Sequence, residues 1–221
     1  MVMPVYNERK TIQEILRRVR DVPLEKEIIC VDDFSNDGTW DLLQQEANNA
    51  GTRIFRHSRN MGKGAAVATG LQYVEGDVAI IQDADLEYSP EDYPRLIQPI
   101  MEGTSTVVYG SRFLGKPRAM HFWNALGNKL FTFVANLLFG SRLSDVETCY
   151  KVFTVDIARK LKLVSPRWGF DPEITAKILK MGHSIHEVPI SYTSRSREEK
   201  KIHWKDSFAV LLALIRFRYF D

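Results

Sequence analysis

The chain has 221 residues, 44% of them hydrophobic and 26% charged, an ordinary globular balance that excludes intrinsic disorder and supports a sizeable core. Lysine plus arginine total 30 against 28 acidic residues, and a net charge of +2 is too balanced for a dedicated nucleic-acid binder. Two cysteines, Cys30 and Cys149, make neither a disulfide framework nor a cysteine-rich zinc site and read as packed thiols; no apolar run approaches the ~20 residues that span a bilayer.

The first half alternates strand and helix. Met1 to Tyr6 reads as a strand, and Thr11 to Arg20 as a helix with Ile12, Ile15, Leu16 and Val19 on one face. Glu27 to Val31 is a second strand, and Asp37-Gly38-Thr39 opens a helix to about Ala50. Arg53 to Arg56 is a short third strand; Gly62 to Gly64 opens a helix through Tyr73; Asp77 to Gln82 and Thr106 to Gly110 are the fourth and fifth strands. The N-terminus lacks a signal peptide's basic start and cleavage site and opens directly on a strand, so residues preceding Met1 are compatible with it.

The second half is less regular. Arg118 to Phe139 is a long helical stretch, apolar nearly all round. It suits a membrane interface, with Phe122, Trp123 and Phe131 as anchors, and equally a core helix or a subunit contact. Leu143 to Val152 reads as a loop leading into a strand, Asp171 to Met181 as a helix, Ser184 to Ile190 as a strand, and Ser194 to Lys205 as a basic loop. Phe208 to Phe220 is a final helix, whose Arg216 and Arg218 suit anionic headgroups.

Strands alternating with helices predict a mostly parallel sheet with helices on both faces, and such sheets bind ligands beyond the carboxyl ends of their strands. PVYNE, VDDFSNDGT, RNMGKG and QDADLE all fall at such ends. Asp83 and Asp85, with Glu87 two residues on, suit Mg²⁺ or Mn²⁺, hard cations that share carboxylate and phosphate oxygens; acids at strand ends also occur as helix caps. Asp32 and Asp33 form a second acidic end, suited to a base N–H or ribose hydroxyl, or to a turn. The glycine-broken loop Arg59, Asn60, Gly62, Lys63 and Gly64 suits an anion or a tight turn, and is not a P-loop.

In this order and at these spacings, PVYNE, VDDFSNDGT, RNMGKGAA, DADLE, YGSRF, LSDVETCYK and VPISYTSR resemble the family 2 glycosyltransferases of the GT-A fold, and within them the dolichyl- or polyprenyl-phosphate sugar transferases. The resemblance implies one catalytic domain over residues 1–221, an α/β fold with a mixed, mostly parallel, Rossmann-like sheet. Residues 1–112 would form the nucleotide-sugar-binding half and 113–221 the acceptor half with the C-terminal helix. It implies that Pro4, Tyr6, Asn7 and Glu8 line a nucleotide pocket with Val31 and Asp33 beside the base, and that Lys63, Asp83, Ala84, Asp85 and Arg112 meet the donor. Asp83, Asp85 and Glu87 become metal positions, and Arg195 and Lys201 cations of a loop over the pyrophosphate.

Transfer would invert the anomeric carbon, with Asp85 and Arg112 as catalytic groups and a polyprenyl phosphate as acceptor at the cytoplasmic membrane face, the protein being cytoplasmic or peripheral there. A phosphate acceptor, with a second pKa near ~6, needs no base; a sugar hydroxyl does. Asp145 is the first base candidate, ahead of Glu147, Asp171 and Glu173, its alternative roles being a loop cap or the partner of a nearby arginine. Leu126 precedes Gly127 where related lipid-phosphate mannosyltransferases carry arginine. The alternatives are a family 2 enzyme acting on a saccharide hydroxyl and a non-catalytic nucleotide-binding or membrane-associated scaffold; a homo-oligomer fits any of these.

Overall fold

The computed structural model describes residues 1–115, 122–167, 169–194 and 206–220, and within these no side chains at 122, 123 and 206–209. Seven strands are described: β1 (Val2–Val5), β2 (Ile28–Asp32), β3 (Thr52–Arg56), β4 (Val78–Ile80), β5 (Val107–Ser111), β6 (Lys151–Thr154) and β7 (His186–Pro189). The eight helices described are α1 (Ile12–Asp21), α2 (Thr39–Glu46), α3 (Lys63–Leu71), α4 (Tyr93–Met101), α5 (Phe122–Phe139), α6 (Val155–Lys160), α7 (Phe170–Lys180) and α8 (Asp206–Tyr219).

β1, β2 and β3 pair in that order, all parallel, and the second group runs β4-β6-β5-β7. A bridge between Val2 and Ile81, with the Gln82 N–H donating to the Val2 carbonyl at 3.0 Å, joins the groups. The combined order is therefore β3-β2-β1-β4-β6-β5-β7. Every residue of β1, β2 and β5 is buried, as in strands covered on both faces. α1 turns Ile12, Ile15, Leu16 and Val19 inward, one stripe at helical spacing. α3 packs on β1 and β2, α4 on β5, and α5, α7 and α8 pack on one another.

β6 positions the site. It is antiparallel to both neighbours, with Ile80 opposite Val152 and Tyr109 opposite Lys151. An antiparallel strand begins where its parallel neighbours end, so Lys151 and the loop before it reach the edge where β4 and β5 terminate.

Elements departed from the sequence expectation where turn chemistry or proline was misleading. α2 stops at Glu46, short of Ala50, because Asn49 turns its backbone N–H onto Glu46. α4 carries Pro94 and Pro99 and was not expected as a helix; Pro94 sits in the first turn, where no N–H partner is needed, and Tyr93 and Leu96 anchor the buried face. α6 is a helix of only six residues directly after β6, too short to carry a periodic signal. In α5 the expected anchor Phe131 is only 9% exposed and packs inward with Thr132 and Ala135. The outward stripe is instead Leu126, Leu130, Phe133 and Leu137, spaced four, three and four residues apart. Phe122 and Trp123 lie outside the described side chains. No helix among the described residues is long and apolar enough to cross a membrane.

The loop before α3 is pressed onto the segment before α7. Gly62 has φ +100°, and a Cβ on Gly64 would stand 2.1 Å from the Ser165 carbonyl and 2.8 Å from Phe170 Cβ. Gly64→Ala is expected to lower stability by about 1–3 kcal/mol, the usual cost of overpacking, read as a lower urea midpoint. An unchanged midpoint would mean that this segment yields without cost.

Candidate active site

The first two strand-end loops are stitched together. Asn7 and Phe34 both take left-handed backbone, φ 51° and 66°. The Asn7 N–H donates to Ser35 Oγ at 2.9 Å, the Asn36 N–H returns to Asn7 Oδ1 at 3.0 Å, and the Glu8 N–H donates to Thr39 Oγ1 at 2.9 Å. Thr11 ties this loop to the fourth strand end, its hydroxyl lying 2.9 Å from Glu8 Oε2 and 3.0 Å from the Ala84 carbonyl. Pro4 and Val31 stand opposite each other in the sheet just beneath, both buried. Tyr6 and Phe34 project, 36% and 46% exposed. A left-handed phenylalanine is strained, and such strain concentrates at ligand sites.

The acidic pair at the end of β2 is spent internally. Asp32 is paired with Arg56 at 3.1 Å and accepts the Ser35 N–H. Asp33 accepts the N–H groups of Met61 and Gly62, both at 2.7 Å, and lies 2.8 Å from His57 Nδ1. Two N–H groups of the glycine-broken loop that suited an outside anion are thus taken by a carboxylate of the protein. Three contacts leave Asp33 about one lone-pair site on Oδ2.

Lys63 lies 2.5 Å from Asp83 Oδ1 and 5.3 Å from the Phe170 ring centroid. Burial works against its charge, but Asp83, then Cys149 and Asp171, outweigh it and hold the ammonium above the ordinary lysine range. The backbone beneath is fixed by Gln82, fully buried, which takes the hydroxyls of Tyr93 and Tyr150 at 2.8 Å each and donates to the Asp83 carbonyl. Asp85 Oδ1 accepts the Glu87 N–H at 3.0 Å, and Glu87 Oε2 accepts the Tyr192 hydroxyl at 3.1 Å. Among the described residues no three His, Cys, Asp or Glu side chains converge as a closed metal cage. The donor set is nevertheless hard oxygen, and one or two carboxylates completed by phosphate oxygens are what Mg²⁺ and Mn²⁺ take.

On the other side stands a buried ion pair. Asp145, fully buried, receives Arg112 Nε and Nη2 at 2.7 Å each and the Arg112 N–H at 3.0 Å. Glu187, on β7, accepts the N–H groups of Ser144 and Asp145 at 2.7 and 3.0 Å and so fixes the loop carrying the pair. Burial pushes the Glu187 carboxyl up, against those bonds. Asp171 is bonded by the fully buried Lys151, which also donates to the Thr148 carbonyl. Glu173 accepts the N–H groups of Val164 and Ser165 and the Lys177 ammonium, all at 2.7 Å. Of the four base candidates, Asp145, Asp171 and Glu173 are therefore held by cations. The fourth, Glu147, is half-buried, and its sealed Oε1 accepts no hydrogen bond among the described residues.

The structure thus brings Asp83, Asp85, Glu87, Lys63, Arg112 and Asp145 to one edge; Arg195 and Lys201 lie outside the described residues. Glu187, Lys151 and His57 were missed. A lysine in the apolar run CYKVF was a usable signal, since a charge within a buried strand requires a partner. Glu187 carried none.

The mixed sheet and its acidic strand ends define a GT-A glycosyltransferase fold. Glucosyl-3-phosphoglycerate synthase of Mycobacterium tuberculosis with UDP superposes with a TM-score of 0.75 at 18% identity, over 98% of this chain and 78% of that one. The same enzyme with Mn²⁺ and UDP-glucose gives 0.72 at 19%, over 98% and 77%. The family model for glycosyl transferase family 2 matches residues 1–162, and the chain belongs to that family. A dolichol-phosphate mannosyltransferase of Pyrococcus furiosus is 30% identical, over 98% of this chain and 62% of its own length. An undecaprenyl-phosphate mannosyltransferase of Micrococcus luteus is 28% identical, over 91% and 86%. An undecaprenyl-phosphate 4-deoxy-4-formamido-L-arabinose transferase of Pseudomonas aeruginosa is 30% identical, over 91% and 59%. The chain therefore spans about three-fifths of the first and third relatives.

Removing Asp145 strands Arg112 in the interior without its carboxylate. Asp145→Ala is expected to cost about 3–5 kcal/mol in urea unfolding. A loss below about 1 kcal/mol would mean that Arg112 reaches solvent by a small shift and that the pair is not structural.

Proposed function

We propose that this chain transfers a sugar from a nucleotide donor, GDP-mannose or a UDP-sugar, to a polyprenyl or dolichyl phosphate, with inversion. The observation that carries the acceptor class is the engagement of Asp145, Asp171 and Glu173 by Arg112, Lys151 and Lys177. A sugar hydroxyl needs a carboxylate free to take its proton, whereas a phosphate monoester is already a nucleophile at neutral pH. The lipid-phosphate names of the three relatives support the same acceptor.

In this reading residues 1–112 receive the donor and the remainder receives the acceptor. Tyr6 and Phe34 flank the base, and Asn7, Glu8 and the last lone pair of Asp33 meet its polar edge or the ribose. Asp85, with Asp83 or Glu87, would hold Mg²⁺ or Mn²⁺, and the Mn²⁺ of the mycobacterial enzyme supports a divalent ion here. When bound, such an ion neutralises charge gathering on the leaving diphosphate. Arg112 adds a fixed cation there, and Asp145, held by that cation, orients it as a tether and not as a base. Arg195 and Lys201 would close the diphosphate from the far side.

The lipid end suits the outward stripe of α5, Leu126, Leu130, Phe133 and Leu137, together with Leu212, Ile215 and Phe220 near the C-terminus. Arg216 and Arg218 beside them match anionic headgroups at the cytoplasmic face. A saccharide-hydroxyl acceptor is the second reading, favoured by one observation only: Glu147 is a carboxyl without a hydrogen-bond partner among the described residues. A scaffold would keep its partners after loss of Asp85.

Incubation with Mn²⁺, labelled UDP- and GDP-sugars and a short polyprenyl phosphate is expected to carry label into organic solvent. Asp85→Asn is expected to cut that transfer about a hundredfold or more. Donor turnover with no extractable product would overturn the lipid-phosphate acceptor, and unaltered transfer by Asp85→Asn would overturn the metal role. Replacing Leu130 and Phe133 together by Glu is expected to weaken sedimentation with anionic vesicles about tenfold or more while nucleotide binding persists. Undiminished sedimentation would remove α5 from the membrane face.

A further inference from the structure

We infer that Glu147 serves as a protonated carboxyl that donates its O–H to a phosphate oxygen of the bound substrate, beside Arg112. This rests on the glycosyltransferase reading above and extends it to a residue that reading leaves without a task.

Asp145 is locked to Arg112, and Thr148 donates its hydroxyl to the Gly110 carbonyl at 2.5 Å, so Glu147 is held between two fixed points. Its Oε1 is sealed from solvent and accepts nothing among the described residues. An ionised carboxylate left so would carry the full cost of desolvation, while a protonated one carries little. The groups bearing on it are Asp171 on α7, Lys151 on β6, Arg112 beyond β5, and Asp145 on its own loop. Burial first, then Asp171, push the Glu147 carboxyl up to about 8 against the pull of Lys151 and Arg112, and Asp145 adds to the rise. At neutral pH the group is therefore an acid with a proton to share.

The consequence concerns anions. A carboxylate here would repel a phosphate drawn in by Arg112, whereas a carboxylic acid binds it. A phosphate oxygen accepting that O–H favours the protonated form further, so binding takes up a proton from solvent at alkaline pH. The affinity for the anion then falls as pH rises past the carboxyl's titration point, by up to about tenfold per pH unit for one proton. No bond of the substrate is made or broken in this step; the proton, retained from the free protein or taken from solvent at alkaline pH, stays on Glu147. The phosphate belongs to the donor's diphosphate or to the acceptor.

The test uses the whole chain, ¹³C-labelled at glutamate side chains, with Glu147→Gln to assign the signal. The expected result is one carboxyl titrating near 8, absent from the variant. It should move upward when UDP or GDP with Mg²⁺, a diamagnetic ion, is added if the donor supplies the phosphate. It should move only with a short polyprenyl phosphate if the acceptor does. The Gln amide also donates, so Glu147→Gln should bind the same anion with a flat pH dependence between about pH 7 and about pH 9.5, where the parent weakens. A Glu147 signal titrating at the ordinary value of about 4.3, a signal that none of the three probes moves, or an alkaline fall retained in Glu147→Gln would each overturn the proposal. So would a Glu147→Gln enzyme that binds nucleotide normally yet turns over at no pH, since that marks a general base. The titration needs no turnover, so its outcome is independent of whether label reaches the organic phase.

Discussion

A carboxylate removed from water must be matched by a cation, by N–H donors or by a proton, and at the carboxyl edge of this sheet that requirement organises everything else. Asp32 is matched by Arg56, Asp33 by the N–H groups of Met61 and Gly62, Asp83 by Lys63, Asp145 by Arg112 and Asp171 by Lys151. Each match ties two elements distant in sequence. The loops that would face a ligand are consequently held by charge pairing as much as by packing, in a region where a broken pair is costly.

The same pairing divides the labour at the edge. Carboxylates bound to lysine or arginine cannot readily accept a substrate proton, and the cations they bind are pre-aimed. A rigid Arg112 suits a transition state in which charge accumulates on a leaving phosphate, because little reorganisation is required at the moment of reaction. Asp85 Oδ1 accepts a backbone N–H and Glu87 Oε2 accepts the Tyr192 hydroxyl, which fixes both carboxylates at the end of β4.

The helical layer follows a different rule. α5 is apolar on two faces, one packed against α7 and α8 and the other outward through Leu126, Leu130, Phe133 and Leu137. A water-soluble helix ordinarily presents a polar outer face. An apolar one marks a surface intended for contact, on the same half of the chain that carries the Arg112–Asp145 pair's supporting loop.

Most of the fold was legible from residue pattern alone. The alternation of Val- and Ile-rich runs with helical stripes located the strands, β6 only as the end of a loop, and the long helices, and the acidic ends of β2 and β4 marked the site edge. Local pattern is legible because backbone geometry repeats every two or 3.6 residues. Proline-bearing α4, short α6 and the reversed direction of β6 escaped it, since each depends on contacts across the sheet. Sequence determined which chemistry was available: carboxylates, cations and glycines at the strand ends. Only the tertiary structure decided which carboxylate met which cation, turning Asp145 into a tether, spending Asp33 on a loop and leaving the sealed Oε1 of Glu147 without a hydrogen-bond partner among the described residues. Pairing is a property of distance and burial, and neither is written in the order of the residues.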